Sequence, residues 1–171
     1  PNDGDVVGLA CTACQGTRQQ CQTSHHGYLM FEFHSVMVAG LALLPRALEG
    51  GASKTHNISI IGLGGGCLPM FLHNHFSQLN IDAVEIDGDL VDAAKRYFDF
   101  RPSARLSVHV MDGLDYVRQL AASAPAEGMK KDMIIFDVDN KDVTTGVTAP
   151  PASFLEPDFL QATFDALDED G

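Results

Sequence analysis

The short β-branched run Ile58-Ser59-Ile60-Ile61 breaks at once into four glycines among the five residues Gly62–Gly66. Such a break constrains the fold strongly. A strand that ends in glycines turns sharply, tolerates left-handed backbone and lets a ligand approach the main chain closely. A second apolar run ends in Val84-Glu85-Ile86-Asp87 and delivers its acid, Glu85, 23 positions after Gly62. A carboxylate at that strand end is placed to accept hydrogen bonds from ribose hydroxyls. Strand, glycine loop, helix and acid, in that order, describe a nucleoside-cofactor site in a parallel α/β sheet.

The dinucleotide fingerprint G-x-G-x-x-G/A requires a small residue at its last position, and here that position is Cys67. Two further acids favour a different cofactor. Met111-Asp112-Gly113 follows the apolar run Leu106–Val110, and Phe136-Asp137-Val138-Asp139 follows Met133–Phe136. Acids at successive strand ends suit an adenine amino group, a ribose diol and a cationic centre, which S-adenosyl-L-methionine combines. The pyrophosphate of NAD would be repelled by the same carboxylates.

The remaining chain alternates helices with these strands, giving a Rossmann-like, doubly wound parallel sheet. Residues 28–44 read as a helix with Leu29, Phe33, Val36, Gly40 and Leu43 on one face. Strands are expected at about 57–61, 81–86, 106–110 and 132–136. The helix after the first strand starts near Pro69, with Leu68, Leu72 and Phe76 on one face. Asp89 is the expected cap of the next helix, where Leu90, Ala94 and Tyr97/Phe98 pack. Leu114, Val117 and Leu120 mark the third, and a long connection, Asn140–Glu156, precedes a last helix from Pro157. Residues 1–24 read as a linker or upstream segment, and 25–171 as a partial domain. The chain has no initiator Met and stops where a further strand is expected, so the sheet reads as truncated after its fourth strand and following helix.

A formal charge of −12 with only 11 basic residues argues against a nucleic-acid surface and suits a basic protein partner. The most apolar stretch, Tyr28–Leu44, contains Glu32 and His34 and stops at Pro45, which argues against a membrane span. No signal-peptide pattern is visible, and a cytoplasmic location is expected. Cys11, Cys14, Cys21 and Cys67 are expected as free thiols. Cys11-x-x-Cys14 with Cys21 and His25 has zinc-like spacing, but its Gly, Thr and Gln neighbours read as linker. His25-His26 and His73-Asn74-His75 read as surface or packing residues, so no metal site is expected.

Strand–GxGGG–helix, then V-E-I-D, M-D-G and I-I-F-D-V-D, resembles the class I methyltransferases of the spermidine-synthase-like branch. Met37–Leu44, Gly62–Pro69, Asp112–Tyr116 and Phe136–Asp139 resemble in particular its members that methylate elongation factor 1-alpha on lysine or the N-terminus. The resemblance covers about residues 24–167. It implies methyl transfer from S-adenosyl-L-methionine to a protein amine, with elongation factor 1-alpha as partner and a homodimer left open. The resemblance to spermidine synthases is weaker. Their glycine loop reads GGGDGG, with its Asp facing the aminopropyl end of decarboxylated cofactor, where this chain has Gly65.

The candidate cofactor-binding residues are Gly62, Leu63, Gly64, Gly65, Gly66, Glu85, Ile86, Asp87, Asp112, Gly113 and Asp137. Gly62, Gly64 and Gly66 are expected under the methionine portion, and Glu85 on the ribose. Asp87 is either a second ribose contact or a helix cap. Asp112 reads as the acceptor for the adenine amino group, or as an N-cap. Asp137 is the candidate catalytic residue that the family position implies, placed where open α/β sheets put substrates. Asp139 is a second catalytic candidate, or a loop-capping residue alongside Asn140 and Asp142. Tyr28 and His34 precede the first strand, where either a cofactor contact or simple packing is open. Two other readings remain: an aminopropyltransferase on the same scaffold, and a non-catalytic methyltransferase-like binding domain.

Overall fold

The computed structural model describes residues 29, 31–44, 55–123, 130–139 and 149–168. Tyr28 and residues 1–24, with Cys11, Cys14, Cys21 and His25-His26, lie outside them, as does 140–148 of the long connection. Four strands, β1 (His56–Ile61), β2 (Leu79–Glu85), β3 (Leu106–Val110) and β4 (Met133–Phe136), form one sheet in the order β3-β2-β1-β4. All pairings are parallel, with Ile61 opposite Val84 and Phe136. The order runs outward from β1 to β3 and then returns to the far side of β1. The boundary between β1 and β4 is therefore the switch point at which open α/β sheets bind ligands.

Alternation along each strand builds two cores. Ile58, Ile60, Ile81 and Leu106 face one way and are buried with Leu68 and Leu72 of α2 (Cys67–His75) and Val91 and Ala94 of α3 (Gly88–Tyr97). Ile61 and Val84 face the other way, against Tyr116 and Val117 of α4 (Gly113–Ser123) and Phe159 of α5 (Pro157–Ala166). Helices on both faces complete the doubly wound arrangement. After α5, Lys131 N–H donates to the Ala166 carbonyl and Asp168 N–H to that of Lys131, aligning Leu167 in parallel beside the entry to β4. No helix among the described residues is long and apolar enough to cross a membrane.

Three local expectations change. The first helix, α1, spans only Glu32–Ala39 and tightens into a 3₁₀ turn at Gly40–Leu43. Apolar residues lie on several sides of this segment, and packing selects the side through His34, Met37, Leu41 and Leu44 rather than the extrapolated one. Phe33, Val36 and Leu43 are 50%, 73% and 84% exposed, while His34, Leu41 and Leu44 point inward. In α3, Val91 and Ala94 pack into the sheet core whereas Leu90 and Tyr97 are exposed, and the helix starts at Gly88 with Asp87, not Asp89, as its cap. Cys67 is disulfide-bonded, contrary to the expected free thiol. Composition sets only a redox prior, whereas bonding depends on which thiols tertiary structure brings together.

A polar layer beneath α4 was not anticipated. Asp82, on the α4-facing side of β2, accepts hydrogen bonds from Lys131 Nζ and from Tyr116 Oη (3.2 Å), and pairs with His109 Nε2 (3.1 Å). Ser59 Oγ lies 3.0 Å from Tyr116 Oη. Burial alone would raise the Asp82 pKa, but the hydrogen bonds and charges of Lys131 and His109 outweigh it and hold the carboxyl below its usual range. Burial, with the neighbouring Asp82 charge, pushes the Tyr116 phenol up, so it stays neutral and keeps donating. A carboxyl whose folded pKa is depressed adds stability that is present above its unfolded pKa and lost as pH falls. Melting temperature should therefore drop as pH is lowered below about 4. Lys131→Met should destabilise the fold by about 1–3 kcal/mol at neutral pH and flatten that acid limb. Urea unfolding at pH 7 and pH 3 checks both; a variant as stable as wild type at both pH values contradicts the role.

At the opposite end of the sheet, His56 Nδ1 sits 3.2 Å from Asp132 Oδ1, and Asp132 Oδ2 accepts from Asn57 N–H (2.7 Å). This buried pair ties β1 to β4 at their amino ends, remote from the carboxyl-end site.

Candidate functional site

The carboxyl ends of β1, β2 and β4 converge on the glycine loop. Gly62 N–H donates to the Val84 carbonyl (2.8 Å), extending the β1–β2 ladder by one step, and Asp137 N–H donates to Ile61 (2.8 Å). Gly62 has φ +100°, and a Cβ there would stand 2.1 Å from the Asp137 carbonyl oxygen. Only glycine permits this approach of β1 to β4. Gly66, the N-cap of α2, has φ +79°, and its Cβ would meet the Phe100 ring at 2.7 Å. Gly64, at φ +53°, has no neighbour within 4 Å of such a Cβ. Gly62 and Gly66 thus answer to packing inside the chain, whereas the open side of Gly64 is where a ligand has room.

Glu85, 8% exposed, is held by two backbone donors. Leu63 N–H reaches Oε2 and Asp87 N–H reaches Oε1, each at 3.1 Å. Glycine loop and β2 acid are thereby joined, and each carboxylate oxygen keeps a further lone pair for a ligand hydroxyl. Beside Glu85, Ile86 is 67% exposed, and Val110 at the end of β3 is 56% exposed. Val110 pairs with Glu85 in the sheet, so Ile86, one residue on, is the exposed apolar side chain that follows the acid.

The structure narrows two open readings. Asp87 is the N-cap of α3, accepting from Asp89 N–H (2.9 Å) and Leu90 N–H (3.4 Å). Asp112 accepts from Leu114 N–H (2.7 Å) and so caps α4 through Oδ1. Gly113 is buried, and a Cβ there would fall 2.3 Å from Ile61 Cγ2. Its smallness therefore seats α4 against β1.

Asp137, at the switch point, is half-buried, and its Oδ2 lies 3.0 Å from His34 Nε2. Asp139 is exposed two residues further on. His34, read from sequence as either a contact or a packing residue, is brought to the Asp137 carboxylate from 103 residues away. The signal available was a lone histidine among apolar residues on a helix preceding the first strand. Among the described residues, no cluster of His, Cys, Asp or Glu is arranged to hold a metal ion.

The family described as "Spermine/spermidine synthase domain" matches residues 34–171. The chain belongs to this family. It is 45% identical over 150 residues to the "eEF1A lysine and N-terminal methyltransferase" of Mus musculus, and 44% over 150 residues to that of Homo sapiens. Each alignment covers 88% of this chain and 21% of the relative, so the chain spans about a fifth of their length. The "Polyamine aminopropyltransferase" of Vibrio vulnificus (strain CMCP6) is 32% identical over 170 residues, covering 98% of this chain and 51% of that protein. Among solved structures, human methyltransferase-like protein 13 in complex with SAH superposes with a TM-score of 0.72 at 43% identity, covering 82% of this chain and 62% of that one. Spermidine synthase from Thermotoga maritima gives a TM-score of 0.55 at 26% identity, covering 82% and 42%. The parallel Rossmann-like sheet of the family is the fold described above.

Proposed function

We propose that this chain is part of an S-adenosyl-L-methionine-dependent protein N-methyltransferase acting on an N-terminal or lysine amine of elongation factor 1-alpha in the cytoplasm. The observation that carries the reading is the buried Glu85, held by the Leu63 and Asp87 N–H groups beside an open Gly64. That arrangement presents a pair of carboxylate acceptors where a ribose diol fits. The named relatives and the SAH-bound neighbour support the cofactor and the substrate.

The residues divide the work by position. The amino end of α2 offers main-chain N–H groups to the cofactor's carboxylate. Glu85 receives the ribose hydroxyls, the exposed Ile86 beside it meets the base, and the Asp112 carboxylate lies at the adenine end while capping α4. When bound, the cofactor supplies an electrophilic methyl group on a sulfonium. Asp137 orients the acceptor amine and takes up the proton it sheds; holding the nucleophile in line is the main requirement of such a displacement. Asp139, exposed beyond Asp137, stands on the side from which a basic protein segment approaches.

A specific observation keeps the aminopropyltransferase in view, namely the 32% identity to a polyamine enzyme over nearly the whole chain. Gly65 argues against it. An Asp at that position would repel the carboxylate of intact S-adenosyl-L-methionine, and glycine leaves the carboxylate unopposed. Titration calorimetry with S-adenosyl-L-methionine and its decarboxylated form tests the choice, with tighter binding expected for the intact cofactor. Glu85→Ala should weaken binding by about 1.5–3 kcal/mol, the worth of hydrogen bonds to a charged group. Unchanged affinity in a folded variant removes Glu85 from the ribose site.

A further inference from the structure

The Asp137 carboxylate is gripped by α1 through a histidine whose surroundings fix what that histidine does. His34 is 6% exposed, and its ring stands edge-on to Phe31 and Phe33 at centroid distances of 5.5 and 4.4 Å. Its Nε2 lies 3.0 Å from Asp137 Oδ2. Its Nδ1 is buried and has no hydrogen-bond partner among the described residues. A proton on Nδ1 would be an orphaned buried donor, whereas a proton on Nε2 has a carboxylate to receive it. The arrangement therefore favours the Nε2–H tautomer, donating to Asp137. With Oδ2 so engaged, the second carboxylate oxygen, Oδ1, is the one left to the acceptor amine.

We infer that His34 is a positioning residue for methyl transfer, a buried donor that locks the Asp137 carboxylate so that Oδ1 meets the amine. The inference rests on the methyltransferase reading and adds to it. As the new N–C bond forms, the C–S bond breaks with its electron pair left on sulfur, and the amine proton passes to Asp137 Oδ1. The His34 Nε2 proton stays on the ring throughout. Misplacing the carboxylate affects alignment of the nucleophile, not capture of the cofactor at Glu85, so the effect belongs in kcat.

The test uses the full-length protein carrying His34→Phe, which keeps an aromatic ring against Phe31 and Phe33 but removes the donor, and His34→Gln, whose amide restores an N–H. For His34→Phe, kcat should fall at least about tenfold, with cofactor affinity and acceptor KM within about twofold of wild type. His34→Gln should recover a substantial part of the loss, and His34→Phe should cost far less when added to Asp137→Asn. Wild-type kcat in His34→Phe overturns the inference. So does a His34→Gln as impaired as the Phe variant, or additive losses with Asp137→Asn. Long-range ¹⁵N–¹H spectra of the wild-type imidazole give a readout independent of catalysis and of any variant's folding. Protonation at Nε2 supports the donor role and protonation at Nδ1 refutes it, even if wild type moves no methyl group and the functional reading itself fails.

Discussion

Asp137→Asn should lower turnover by about 10²–10⁴-fold, the span associated with losing a positioned proton acceptor, while changing cofactor affinity by less than about tenfold. The split follows from geometry. Asp137 sits at the switch point between β1 and β4, its backbone fixed by the hydrogen bond to Ile61 and its side chain by His34. Glu85, which anchors the ribose side of the proposed site, belongs to β2 and draws on different donors. The asparagine is nearly isosteric and keeps an oxygen to accept from His34, so the fold should survive. What it lacks is the charge and basicity to take the amine proton. Single-turnover assays with equilibrium binding separate the two quantities. Near-wild-type turnover would make Asp137 a structural residue and leave Asp139 to inherit the role.

Gly62→Ala should be the most damaging substitution in the glycine loop, destabilising the chain by about 2–6 kcal/mol. Two costs add. The backbone at φ +100° is strained for any residue with a Cβ, by about 1–3 kcal/mol. The new methyl also falls 2.1 Å from the Asp137 carbonyl oxygen, and forcing β4 away costs about 1–3 kcal/mol more. Gly64→Ala is the control, because it carries only the left-handed backbone cost of about 1–2 kcal/mol with open space around it. It should lose no more stability than that backbone cost, yet bind cofactor less well if the open side of Gly64 is the ligand side. Urea denaturation of both variants gives the ranking, and equal losses would contradict the packing assigned to Gly62.

How far the sequence spoke depended on the range over which each feature is determined. The glycine break, the strand cores Ile58–Ile61 and Val84–Glu85, and the acids at strand ends are local patterns, and the structure places them together at one end of the sheet. Third-strand limits match because Leu106–Val110 is bounded by a turn and by the α4 cap. Features that depend on distant partners were not legible. Asp82 reads as an unremarkable acid within an apolar run until Lys131, 49 residues on, is brought over it. His34 acquires a role only once β4 brings Asp137 beneath α1. The buried face of α1 was not legible because apolar residues lie on several of its sides, and tertiary packing selects the side of His34 and Leu41. Asp87 and Asp112 show a different ambiguity. An acid that follows a strand and precedes a helix suits a ligand and a cap equally, and both do cap helices here.

The most direct test of the central claim incubates the full-length enzyme with methyl-labelled S-adenosyl-L-methionine, recombinant elongation factor 1-alpha and, in parallel, putrescine. The account predicts label in the protein band, lost with Asp137→Asn and located by peptide mapping on the N-terminal or a lysine amine. Label confined to the small amine, or none transferred by a folded enzyme that binds the cofactor, would contradict it.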